Sequence, residues 1–369
     1  MTSGNSSRMS GDVLLVGSMP FDDAETVFRE TAKGLKGHLG CMPDGEVKER
    51  KNWVGMLPEF VFAGHSQLEE TVSPPGPLEQ PDLPEGLHLS ELDPFWAFKV
   101  KPGEKLVFDN LLYGDFAIDS YATFERLREQ GVIEAGTRFQ VCLPSAHSGI
   151  DAFFNDVSEW PEVHAAYWQA IERDIGRILD VVPANDLVIQ FDMAWEVVDL
   201  AMEEANYFSF WPRLDLEGKF ERHMSQLDYM WKAVPQETLL GYHWCYGTWG
   251  GWPMTAMQDL SLCVRLSNEA VKRTGRRLDY MHMPVIKEPN EGFFAPLQDL
   301  NVGETKVYLG LVHDKEEGIE PFRRRIQGAR KYLPNFGIGG VCGYGRLDPS
   351  ELPGVLAVHT ACAEELSKV

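Results

Sequence analysis

The residues with the clearest chemical potential are His243 and Cys245, separated by Trp244 at the end of the apolar run Leu239-Leu240-Gly241-Tyr242. Side chains two apart on a strand leave the same face, so this pair presents an imidazole and a thiol together. Cys342 closes a second short run, Ile338-Gly339-Gly340-Val341. One nitrogen and two sulfurs suit a borderline-soft ion such as Zn2+. Three protein ligands with an open fourth position make a catalytic rather than a purely structural metal site. The alternative reading is three ordinary buried residues.

Residues at such spacing need strands that end at one rim, and the chain supplies them. Short apolar runs recur at Val13–Ser18, Leu39–Pro43, Arg138–Leu143, Leu187–Asp192, Leu239–Cys245, Leu278–Pro284, Lys306–Val312 and Ile338–Cys342. Most are continuous, as expected for strands covered on both faces. Helical patterns alternate with them at Ala24–Leu35, Tyr121–Gln130, Val163–Leu179, Gly218–Trp231, Met257–Lys272, Pro321–Leu333 and Glu351–Leu366. Eight strand-then-helix units predict an α/β fold of the (β/α)8 TIM barrel type, with one barrel domain over residues 12–369. Residues 1–11, rich in Ser and Gly, read as a disordered leading segment with no apolar core of a signal peptide. A Pro-rich excursion from about Leu57 to Asn110, containing Ser73-Pro-Pro-Gly-Pro77, reads as a long insertion after the second strand. The aromatic segment Asn206–Leu214 is expected to pack over the barrel mouth.

Composition narrows the partners. A net charge of −22 disfavours nucleic acid and anionic membrane surfaces, which leaves a small-molecule substrate. No stretch approaches the roughly 18 apolar residues of a membrane span. The six cysteines follow no framework spacing, which fits a reducing, cytoplasmic setting.

In this fold the chemistry sits at the C-terminal ends of the strands. Those ends read Gly17-Ser18, Asp44-Gly45-Glu46, Ser145, Asp192, His243/Cys245, His282, His313 and Cys342. Together they describe a pocket for a thiol-bearing amino acid. Glu46 and Asp192 pair with an ammonium, backbone groups near Ser18 take a carboxylate, and a metal-bound thiolate attacks a methyl or other alkyl carbon. Glu46 has an alternative, a surface ion pair with Lys48 or Arg50. Arg346 either clamps a substrate carboxylate or pairs with Asp348. His282 and Asp192 are the candidates for catalytic groups, and Trp249 and Trp252 are candidates to wall an apolar substrate.

The ordered set resembles the catalytic barrel of cobalamin-independent methionine synthase, in the superfamily that also holds uroporphyrinogen decarboxylase. Val16-Gly17-Ser18-Met19-Pro20 is similar to the family's first-strand Gly-Ser motif, which helps hold the amino-acid carboxylate. Asp44-Gly45-Glu46…Arg50…Asn52-Trp53-Val54 is similar to its Gly-Glu…Arg…Asp-Met-Val stretch, whose glutamate binds the substrate amine. Gln190-Phe191-Asp192 matches the fourth-strand aspartate. His243, Cys245 and Cys342 match three zinc ligands. The resemblance thus implies a zinc-dependent methyl- or alkyltransferase acting on a small thiol. It also departs from the family. Pro284 stands near the glutamate that completes the family's zinc shell, leaving His282, Glu288 or a water as substitutes. The Asp-Glu-Pro signature reads Asp192-Met193-Ala194, and the folate region is matched only loosely, around Val141–Ser145. The alternative is a metal-independent decarboxylase, lyase or hydrolase using Asp192, Glu46 and Arg346.

Overall fold

The apolar runs become strands, as their continuity requires, and eight of them join in one parallel sheet. The computed structural model describes residues 9–73, 96–203, 205–248, 251–313 and 318–368. In chain order the strands are β1 (Val13–Leu14), β2 (Cys41–Pro43), β3 (Leu68–Val72), β4 (Ala97–Val100), β5 (Arg138–Pro144), β6 (Leu187–Met193), β7 (Leu239–Trp244), β8 (Tyr280–Pro284), β9 (Lys306–Val312) and β10 (Gly337–Gly340). The large sheet runs β1-β10-β9-β8-β7-β6-β5-β2. A parallel bridge between Val13 and Leu39 brings its two edges together. With helices following the strands, this is a (β/α)8 barrel.

β1 is shorter than the run Val13–Ser18, for a physical reason. The carbonyls of Leu15 and Val16 are taken by side chains inside the barrel, from Gln140 at 3.0 Å and Gln190 at 2.6 Å, rather than by a neighbouring strand. β10 stops before Cys342, after a register shift between Ile338 and Gly340.

The floor of the barrel is plugged by Met9, Leu14, Cys41, Val188, Leu239, Tyr280 and Tyr308. Met9 to Gly11 therefore belong to the fold rather than to a disordered leader, since Met9 is buried and Gly11 bridges Leu39. Residues 1–8 lie outside the described residues. Above the floor comes a polar layer. The Tyr280 hydroxyl donates to Gln190 Oε1 at 2.9 Å, and Gln190 Nε2 donates to Asp192 Oδ1 at 2.8 Å. That layer hands a fixed hydrogen-bond pattern upward to the rim.

Between β2 and β5, β3 and β4 form an antiparallel hairpin outside the barrel. The Pro-rich part of the expected insertion, residues 74–95, lies outside the described residues. Asn110 ends the excursion by accepting the Leu112 N–H at 2.7 Å, and the following helix covers Tyr113–Glu129. In the aromatic segment after β6, Tyr207, Phe208 and Trp211 are buried, with Phe208 5.1 Å from both Trp195 and Trp211, centroid to centroid. Among the described residues no helix is long and apolar enough to cross a membrane.

Candidate active site

Parallel register lines up the rim. Asp192 on β6 is opposite His243 on β7, and His243 is opposite His282 on β8. Cys245 lies just past β7, held in line by its N–H bond to the Met193 carbonyl at 2.9 Å. The period-two spacing thus delivers His243 and Cys245 to the same interior face. The loop after β10 brings Cys342 to them. Its sulfur is 3.5 Å from the Cys245 sulfur and 3.8 Å from His243 Nε2.

Three ligand atoms within 4.8 Å of one another fit a single ion. Tetrahedral arms of about 2.3 Å would set two sulfurs about 3.8 Å apart, close to the observed separation. The thiols share a proton in keeping with that use. Cys342 accepts a hydrogen bond from Cys245 and lies near His243, which together hold its pKa well below the ordinary thiol value. Donation to Cys342, together with burial, pushes Cys245 well up. Cys342 is thus the readier of the two thiols to lose its proton, and it lies beside an imidazole; thiolate with imidazole is the donor set zinc prefers.

Across the cleft stand two carboxyls, Glu46 and Asp192, grouped with Cys142 within 4.8 Å. Neither has a cationic ion-pair partner among the described residues. Arg50 is committed to Asp44, bonding its two oxygens at 3.1 and 2.7 Å, and Lys48 reaches Asp119 at 3.6 Å. The surface-pair alternative for Glu46 therefore does not hold; its carboxyl is buried in the cleft. Burial and the nearby Asp44 raise its pKa to about 8, against the pull of Arg50. Burial, followed by the neighbouring Glu46, likewise raises Asp192 well above the carboxylate range. Two acids crowded without a counter-ion hold a proton until a cation arrives.

The backbone that delivers Glu46 is strained. Glu46, Lys48 and Trp53 all have positive φ, at 51°, 59° and 51°, and none is glycine. Each such residue costs on the order of 1–3 kcal/mol, the kind of strain that clusters at functional sites. Next to it, Ser18 Oγ accepts the Gly345 N–H at 3.3 Å. A Cβ on Gly343 would come 2.2 Å from that same oxygen, so the loop after Cys342 closes on Ser18 only because residue 343 is glycine.

These groups line one cleft of about 810 Å³, counting its open mouth. Ser18, Glu46, Asp192, His243, Cys245, Cys342 and Arg346 all reach it. Arg346 bonds the Thr248 hydroxyl, while Asp348 accepts from Ser350, so the Arg346–Asp348 pair does not form. His282 is placed differently from expectation. It is fully buried behind His243, with the two Nδ1 atoms 2.8 Å apart, and is not part of the cleft wall. Trp249 lies outside the described residues. Trp252 faces His313, with centroids 6.0 Å apart. The aromatic wall comes instead from Trp53 and Trp195, with Met254 beside them. Trp53 stood inside the quoted loop motif; Trp195, three residues past Asp192, had only its proximity to that acid as a signal.

The class of fold is thus a TIM barrel with its polar groups gathered at the C-terminal rim. Among solved structures it is similar to a B12-independent methionine synthase from Shewanella sp. W3-18-1 in complex with selenomethionine. The two share 14% identity over 98% of each chain, with a TM-score of 0.58. It is also similar to a Listeria monocytogenes protein assigned as a vitamin B12-independent methionine synthase. There the identity is 14% over 93% of this chain and 86% of that one, with a TM-score of 0.54. No protein-family model and no curated protein matches the chain.

Proposed function

We propose that this protein is a zinc-dependent methyl- or alkyltransferase that activates the thiol of a small, amino-acid-like substrate. The observation that carries this reading is one cleft holding a His243/Cys245/Cys342 donor set opposite two buried carboxyls with no cationic ion-pair partner among the described residues. Bound at that donor set, zinc supplies the charge that keeps a coordinated thiol deprotonated at neutral pH. The chain's own residues do the rest. Glu46 and Asp192 release their proton to receive a substrate ammonium, which replaces a costly unpaired burial with a charge-assisted contact. Ser18 and Arg346 border the place where a carboxylate belongs, and Trp53 and Trp195 exclude water from one wall. The selenomethionine held by the Shewanella structure is a ligand with this same pattern of amine, carboxylate and soft chalcogen. Six free cysteines accord with a cytoplasmic setting.

The test is metal analysis of protein purified without added metal, beside the Cys245→Ser/Cys342→Ser double variant. About one zinc per chain, lost in the variant, is expected. A folded wild type that stays empty after zinc is supplied would sink the reading. The metal-independent alternative, with Glu46 or Asp192 as general acid and Arg346 on a substrate carboxylate, draws on burial pushing the Glu46 pKa up to about 8. It would then take precedence.

A further inference from the structure

Two imidazoles meeting nitrogen to nitrogen is an uncommon contact, and here it is fully buried. The Nδ1 atoms of His243 and His282 are 2.8 Å apart, with ring centroids at 4.8 Å and planes at 49°. Two lone pairs or two hydrogens at that distance repel, so one hydrogen lies between the rings. If His282 supplies it, His243 carries its own hydrogen on Nε2, toward Cys342, and has no lone pair there to bind a metal. If His243 supplies it, Nε2 presents a lone pair to the two sulfurs.

We propose that His282 is a positioning residue that accepts the His243 Nδ1–H, thereby fixing the tautomer and ring orientation with which His243 ligates metal; this rests on the zinc reading above. Metal-ligating histidines ordinarily meet a carboxylate, a carbonyl or water on that side. An imidazole is a neutral substitute. With two thiolates already balancing a divalent ion, a neutral partner adds no further charge to a buried site. Pro284, at the end of the same strand, brings no anionic ligand either.

The surroundings are shaped for this ring. His282 then carries its own hydrogen on Nε2, toward the Gly340 carbonyl, though the contact falls short of a full hydrogen bond. A Cβ on Gly339 would come 3.2 Å from that Nε2 and 3.0 Å from the Leu14 carbonyl. Glycine at 339 thus leaves the room that the second imidazole occupies.

The test compares His282→Leu, which removes the acceptor, with His282→Asn, which keeps an oxygen at the δ position. Zinc affinity of the full-length protein is measured by chelator competition, and the visible spectrum of the cobalt(II) form reports ligand geometry. The leucine variant is expected to bind zinc about 10–100-fold more weakly, with the asparagine variant recovering most of that loss. Wild-type zinc affinity in a folded leucine variant overturns the proposal and leaves the zinc reading standing. No zinc in the wild type overturns both. Should the leucine variant fail to fold, nitrogen-15 NMR of zinc-loaded wild type decides. Hydrogens on His243 Nδ1 and His282 Nε2 support the proposal, and the reverse pattern refutes it.

Discussion

His243 lies inside the barrel with His282 behind it, facing two thiols and two carboxyls that have no cationic ion-pair partner among the described residues. His147, His164 and His223 lie around the helices that follow β5 and β6, in a group equally rich in ligand-type atoms. Its carboxylates, however, are spoken for. Asp151 accepts from His147 Nδ1 at 2.7 Å and from His164 Nε2 at 2.6 Å. Asp199 accepts from Lys219 at 3.0 Å and from His223 Nε2 at 2.9 Å. Glu196 accepts from Ser145, from Ser148 at 2.6 Å and from Gln226 at 2.7 Å. Both ring nitrogens of His147 face oxygen acceptors, since its Nε2 also lies 3.1 Å from the Arg222 carbonyl. Although burial opposes it, Asp151 raises the His147 pKa. The lesson is that proximity of ligand atoms does not by itself make a metal site. One cluster balances its charges internally and serves the fold; the other leaves sulfur and carboxyl groups facing a cleft.

The contrast breaks most visibly at Asp151. Asp151→Asn removes the charge and one of the two acceptor oxygens that hold the histidines, and breaking a buried pair of this kind costs about 3–5 kcal/mol. Urea denaturation is expected to record that loss while zinc content stays at the wild-type level. A loss of zinc without loss of stability would show that the two clusters have been assigned the wrong way round.

A smaller effect, of the opposite kind, is expected at Glu46. Glu46→Gln removes a buried acid with no ion-pair partner among the described residues, so the melting temperature stays constant or rises. The KM for an amino-bearing thiol rises about 10–100-fold, the worth of a charged hydrogen bond of about 1.5–3 kcal/mol. A thiol of the same length without the amine is expected to show no change. An equal penalty on both substrates would place Glu46 elsewhere in the chemistry.

The most gradual effect is a slope with pH. Burial lowers the His223 pKa to about 4, below an unfolded value near 6.5. Between those values the unfolded chain binds a proton that the folded chain does not. Stability therefore falls as pH drops from about 6.5 toward 4, by up to ~1.4 kcal/mol per pH unit from this group. His147, with its raised pKa, works the other way; its contribution is present below about 6.5 and is lost as pH rises through the folded value. His223→Gln, which keeps a donor for Asp199, is expected to flatten the acid slope of denaturation midpoints measured across that range. An unchanged slope would mean that other buried histidines carry it.

The strands and the His243/Cys245 pair were legible in the sequence because both depend on local periodicity. Continuous apolar runs demand cover on two faces, and residues two apart on a strand share a side whatever the rest of the chain does. The end residues Ser18, Glu46, Asp192 and Cys342 followed from the barrel's habit of exposing the C-terminal ends of its strands. What only the tertiary structure decided was pairing. Arg50 lies four residues from Glu46 yet bonds Asp44, because the left-handed turn at Glu46 swings that side chain into the cleft. His282 ends up behind His243 through strand register, and His147 meets the Arg222 carbonyl, and Asp151 meets His164, only where separate helices pack in the folded chain. Sequence spacing sets which way a side chain points. Which charge reaches it first depends on distances that only close when the barrel does.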